Sequence, residues 1–275
     1  MTARKKLCLA ALLLLAALCM LAAAPEAAPE ESGEELAVVV TEAPAPTPEP
    51  TPAPTPGPEP AREGLTPPAD LPDVDVHSWE FMLANSYNSV SFEYVVPVYG
   101  GIEAQGIDSR VFEAASSMLQ AAREEGVQLY FSVAYRNMEY VTTMYQKAIV
   151  AYGDAAHAAE HVLPPGCNEH QTGLAVDITA NQGFQANYYP YEEPELEDSP
   201  AYAWMMEHCA EYGFIYRYPE GKEAWYGTPC EHCHFRYVGV EAATYIMEHD
   251  LCLEEFLYYE DPSVLYVPGV SEERQ

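Results

Sequence analysis

Two short blocks, widely separated in the chain, carry metal-ligating side chains that any fold must bring to one point. The first, Gly-Cys-Asn-Glu-His-Gln-Thr-Gly-Leu-Ala-Val-Asp-Ile-Thr-Ala, runs from Gly166 to Ala180 and includes His170 and Asp177. Thr172-Gly173 has the composition of a tight turn and 174–179 that of a strand, so both side chains can aim at one point from the strand's two ends. The second block is Glu231-His-Cys-His234, followed by Phe-Arg-Tyr-Val-Gly. Glu231 and His234 share a side only if the chain bends between them, as in a helical turn, and Pro229 makes an irregular approach plausible. Two imidazoles, one carboxylate ligand and a spare glutamate make up the inventory of a catalytic zinc site: three protein ligands, an open position for water and a base to take its proton.

Not all 275 residues can serve that fold. Residues 1–24 combine Arg4, Lys5 and Lys6 with an apolar run, which reads as a signal peptide or an N-terminal membrane anchor. Cys19 follows Leu18, too bulky for a lipoprotein site. Residues 25–72 are rich in Pro, Ala, Glu and Thr and cannot bury a core; they read as an extended, disordered spacer. Residues 73–275 remain for one domain with a sizeable core, expected as a monomer. The formal charge of −31 excludes nucleic acid and anionic membrane surfaces as natural partners.

Within the domain, apolar spacing predicts helices over 107–126, capped by Asp108 or Ser109, and over 138–152, 200–212 and 240–249, with 155–162 continuing or following the second. Strands are predicted over 127–134, 174–179, 214–218 and 233–238, and an opening strand or short helix over 76–88. The irregular alternation suggests an α+β class.

Two other motifs compete for the chemistry. Cys230-x-x-Cys233-His234 matches the c-type haem attachment pattern and could also be a redox pair. His157-Ala-Ala-Glu160-His161 matches the inverted zincin pattern, with a solvated helix face as its plain alternative. If His170 and His234 meet at one metal, Cys167 and Cys233 come near enough for a disulfide, with Cys230 as the rival partner and thiols left reduced as the third alternative.

Glu169-His-Gln-Thr-Gly-Leu-Ala-Val-Asp-Ile178 and Glu231-x-x-His234-Phe-Arg-Tyr-Val-Gly239 resemble the two signature blocks of the VanY-type zinc D-Ala-D-Ala carboxypeptidases, and Phe131-Ser-Val-Ala-Tyr-Arg136 resembles that family's Ser-Gly-Tyr-Arg segment. The resemblance implies a small α+β domain with a central antiparallel sheet flanked by helices and zinc in a cleft. It implies His170, Asp177 and His234 as zinc ligands, Glu231 as general base and then acid, and Arg136 on the substrate's carboxylate or scissile carbonyl. Asn168 and Gln171, beside the first ligand, are further candidates for substrate contact. Asn168 stands where the family usually has Ser, and His232-Cys233 replaces Pro-Trp. The expected activity is removal of a terminal D-amino acid from peptidoglycan stem peptides on the cell-wall side of the membrane. An L,D-carboxypeptidase on tetrapeptide stems and a non-catalytic wall-binding module are the alternatives; the intact Glu231 argues against the latter.

Overall fold

A computed structural model describes residues 66–264, except 69, 103–104, 185–192 and 194, and its centre is a four-stranded antiparallel sheet. The expected signal or anchor, the spacer up to residue 65 and residues 265–275 lie outside the described residues. The chain is already packed at Pro68, whose carbonyl accepts from the Tyr245 hydroxyl at 3.2 Å. Among the described residues no helix is long and apolar enough to cross a membrane.

The first element is an antiparallel hairpin, β1 (Val98–Ile102) with β2 (Gln105–Asp108). It takes Ile107 and Asp108 out of the predicted helix, which begins later, as α1 (Phe112–Glu124). Asp108 caps nothing there. Its carboxylate accepts from the Arg110 backbone N–H and from that guanidinium at 2.9, 2.9 and 2.5 Å, which shapes the turn into the helix. Helix α1 buries Ala115, Met118, Leu119 and Ala122, the stripe its spacing predicts.

The sheet comprises β3 (Tyr130–Val133), β4 (Ala175–Thr179), β5 (Phe214–Tyr218) and β6 (Glu231–Tyr237), ordered β3-β4-β6-β5. Helix α2 (Met138–Tyr152), capped by Asn137, and the short α3 (Ala155–Ala159), capped by Asp154, fill the connection from β3 to β4. Between β4 and β5, Ser199 caps α4 (Pro200–His208), whose proline sits in the first turn, where no amide donor is needed. Helices α5 (Glu223–Tyr226), α6 (Val240–Glu248) and α7 (Leu253–Glu260) complete the chain; α5, α7 and the hairpin carry no clear sequence signal. The 76–88 segment holds only one helical turn, Trp79–Phe81.

Strand alternation divides the side chains between two cores. Phe131, Val176, Ile178, Phe214, Cys233 and Phe235 join the core under α1 and α4. Ile215 joins a second core built with α5, α6 and α7. Asp177, His234, Arg217 and Arg236, which alternate with residues of the first core, are buried too.

Candidate metal centre

Strands β4 and β6 are neighbours, and their register sets Asp177 directly opposite His234. Both alternate with residues of the first core, so both leave the sheet on the same side. His170 arrives from the one-turn helix Glu169–Thr172, where Asn168 Oδ1 accepts from the His170 N–H at 3.1 Å. Gly173 then reverses the chain into β4 with φ +73°, and a Cβ there would lie 2.6 Å from Val96 Cγ1.

His170, Asp177 and His234 are 2–3% exposed. His170 Nε2 lies 3.1 Å from Asp177 Oδ2, and His234 Nδ1 lies 3.0 Å from Asp177 Oδ1. Their ligand atoms lie within 4.8 Å of one another, and among the described residues they form the one group of three or more suited to holding a metal ion. Asp177 Oδ1 and His234 Nδ1 are buried with no hydrogen bond despite their proximity. Two such atoms turned on one point, with a second imidazole beside them, fit a cation, and two nitrogens with one carboxylate are a donor set of catalytic zinc.

The electrostatics agree. Burial disfavours charge on His234, but Asp177 and Glu169 outweigh it and raise the ring's pKa to about 10. A ring between two carboxylates favours positive charge, which a cation at Nδ1 supplies in place of a proton. Burial lowers the His170 pKa, Asp177 offsets this only in part, and Arg136 deepens the shift, so that ring stays in its neutral, ligating form. Burial alone would raise the Asp177 pKa; the two histidines hold it well below the usual carboxylate range.

Glu231 sits at the open edge of this centre. Its side chain is 30% exposed, and its Oε2 lies 3.7 Å from His234 Nδ1. No helical turn brings the two together. Tyr216 pairs with Phe235 but Tyr218 with Glu231, so β6 carries extra residues opposite β5. Such a bulge re-aims a side chain, and here it returns Glu231 to the ligand side of the strand.

Arg136 follows β3 and donates its backbone N–H to the His170 carbonyl at 3.1 Å. It lines a cleft with the three ligands, Asn168 and Glu231. Gln171 does not line that cleft: its Oε1 accepts from the Gly166 N–H at 2.7 Å and its Nε2 donates to Met138 Sδ at 2.9 Å, so it braces the loop.

The rival motifs do not assemble. Helix α3 ends at Ala159, so His157 and His161 do not share a helix face; His157 bonds Asp154 at the surface and His161 stacks on Tyr152. Cys233 points into the core under α1 and α4, away from the ligand beside it, because neighbours in a strand face opposite ways. The Cys167–Cys233 and Cys167–Cys230 disulfides are therefore not formed: among the described residues Cys167, Cys209, Cys230, Cys233 and Cys252 are all reduced thiols. The same placement removes the haem-attachment pattern and the redox pair.

No motif in the sequence marks Glu169, Arg217, Arg236 or Glu254 as part of the site. Glu169 Oε2 accepts from His234 Nε2 at 3.0 Å, and its Oε1 takes Arg217 Nε at 2.8 Å and Arg236 Nη1 at 2.5 Å. Burial would raise its pKa; the two arginines hold it well below the usual range. The available signal was an arginine set among apolar and aromatic residues in each of the runs 214–218 and 235–238, which demands a buried carboxylate.

Residues 104–240 match the VanY family, described as D-alanyl-D-alanine carboxypeptidase. A D-alanyl-D-alanine carboxypeptidase of Enterococcus faecalis is 33% identical over 191 residues, which cover 66% of this chain and 67% of the relative. Among solved structures, a variant of the vancomycin resistance D,D-pentapeptidase VanY in complex with Zn(II) is similar at TM-score 0.55 and 33% identity, over 66% of this chain and 99% of that one. VanYB in complex with D-alanine-D-alanine reaches 0.56 at 33% identity, over 67% and 100%. The LD-carboxypeptidase LdcB reaches 0.55 at 30% identity, over 69% and 94%. With Asp177 and His234 on adjacent strands, His170 brought beside them by a helical turn, and this similarity across the fold, the chain belongs to the VanY family of zinc D-alanyl-D-alanine carboxypeptidases.

Proposed function

We propose that this protein is a zinc carboxypeptidase that removes the terminal D-alanine from peptidoglycan stem peptides ending in D-Ala-D-Ala. The observation that carries the proposal is Glu231, a part-exposed carboxylate whose Oε2 lies 3.7 Å from His234 Nδ1, beside three buried ligands. His170, Asp177 and His234 would hold the ion. When bound, zinc supplies Lewis acidity, bringing the pKa of water toward neutrality and polarising the scissile carbonyl. Glu231 takes the proton of the attacking water and returns it to the departing amine, which needs a carboxylate close to the ligands and partly open to solvent. Arg136, across the cleft, offers a planar fork of donors for the peptide's terminal carboxylate or for charge developing on the carbonyl. Asn168 is committed by its carbonyl oxygen to the turn that aims His170, which leaves its amide for substrate.

We infer export from residues 1–24, as a cleaved signal or a retained anchor, with the proline-rich segment as a spacer, because stem peptides lie outside the membrane. Mass spectrometry of defined pentapeptide and tetrapeptide stems incubated with the purified protein tests the activity. Loss of one alanine from the pentapeptide supports it; cleavage of the tetrapeptide alone makes the protein an L,D-carboxypeptidase.

A further inference from the structure

We propose that Glu169 is a positioning residue of the metal centre: it holds His234 with Nδ1 toward the ion, and a buried charge chain rooted outside the matched family segment holds Glu169. The proposal rests on His234 being a ligand. Glu169, Arg217, Arg236 and Glu254 are 0–1% exposed. Enclosing four charges is a weak route to stability, since an apolar core of the same volume does as well or better.

The geometry gives them another purpose. Glu169 Oε1 accepts from both arginines, and Oε2 faces His234 Nε2 at 3.0 Å. An ionised carboxylate only accepts, so Nε2 must carry the ring's proton, and the lone pair is left on Nδ1, beside Asp177. Arg217 spends its other donors on Glu254, at 2.9 and 2.6 Å, and Glu254 Oε1 accepts from Asn85 Nδ2 at 2.7 Å. Arg236 donates to the carbonyls of Glu80 and Met82, both at 2.7 Å. Glu80, Met82, Asn85 and Glu254 all lie outside residues 104–240. The N-terminal approach and α7 thus reach the metal centre through two guanidinium groups and one carboxylate.

The test compares zinc affinity, by competition with a chromogenic chelator, and melting temperature for the wild type, Glu169→Gln and Glu254→Gln. Glu169→Gln is expected to weaken zinc binding about 10–100-fold, and Glu254→Gln, one link further out on Arg217, by a clearly smaller factor while lowering the melting temperature. Equal zinc affinity in wild type and Glu169→Gln, or an equal loss in both variants, overturns the proposal. If Glu169→Gln does not fold, long-range 1H–15N correlation of the zinc-loaded wild type decides alone: Nε2 of His234 protonated supports the proposal, and Nδ1 protonated overturns it. Absence of zinc from the wild type would instead overturn the ligand assignment beneath it.

Discussion

Gly173→Ala should destabilise the protein through two separable effects at the turn that aims His170. The first is conformational. Gly173 has φ +73°, and placing an L-residue in the left-handed region costs about 1–2 kcal/mol. The second is steric. The new Cβ would sit 2.6 Å from Val96 Cγ1, with the Asp108 backbone nitrogen at 3.2 Å, and overpacking of this kind costs roughly 1–3 kcal/mol. Asp108 cannot retreat freely, because its N–H donates to the Gly173 carbonyl at 3.0 Å. The single variant should therefore lose about 2–5 kcal/mol, a fall in melting temperature of roughly 4–20 °C for a domain of this size. Val96→Ala alone should cost about 1–2 kcal/mol for the buried methyls it removes. Combined with Gly173→Ala it removes the clash and leaves the backbone strain. The double variant should fall short of the sum of the singles by about 1–3 kcal/mol, measured by urea unfolding of all four forms. Additivity within about 0.5 kcal/mol would show that the two residues do not press on each other, and would refute the reasoning.

Glu231→Ala should keep zinc by elemental analysis and lose about 10²–10⁴ in kcat; a variant within a few-fold of wild type removes Glu231 as the base. His170→Ala/His234→Ala should bind no zinc, and metal content equal to wild type would refute the ligand set. Arg136→Lys should raise KM on a pentapeptide about tenfold or more with little change in melting temperature, since lysine keeps the charge and loses the fork; unchanged kinetics with a large drop in melting temperature would make the residue structural. Burial raises the Cys167 thiol to about 11 and the Cys209 thiol to about 12, so both should resist iodoacetamide in the native protein at pH 8 and react faster as pH rises toward those values. After denaturation without reductant the five cysteines from Cys167 to Cys252 should all alkylate, and a cross-linked Cys167–Cys233 peptide would contradict the strand geometry.

Much of the fold was legible because its signals are local. Asn137 and Gly153 bracket α2, and Ser199-Pro200 and Gly213 bracket the segment before β5, where sequence and structure agree closely. The β1–β2 hairpin was illegible because its glycines and mixed residues lack the alternation that marks a strand, and its pairing depends on contacts elsewhere, such as the Gly106 carbonyl accepting from the Tyr135 N–H. The three ligands and Glu231 could be found from spacing and family resemblance. Gln171 looked the same on paper as Asn168, but only a three-dimensional turn decides that one faces the cleft and the other the loop.

The disulfide expectation failed for a reason that also explains why the site works. It assumed that neighbours of converging ligands converge. In a strand they diverge, and here the divergence is what the centre needs. Val176, Ile178, Cys233 and Phe235 must face the core under α1 and α4, and that requirement fixes the pairing of β4 with β6. A slip of one residue would carry every one of those side chains to the opposite face. The same register sets Asp177 against His234, so the apolar face that stabilises the sheet also holds the ligands opposite each other. Glu231 had to escape that rule, since strict alternation would have pointed it away from His234. The irregular pairing of β6 with β5 provides the escape, and Glu231 lies at the start of β6, before the His234–Arg236 stretch that pairs with β4, so the Asp177–His234 pair stays intact.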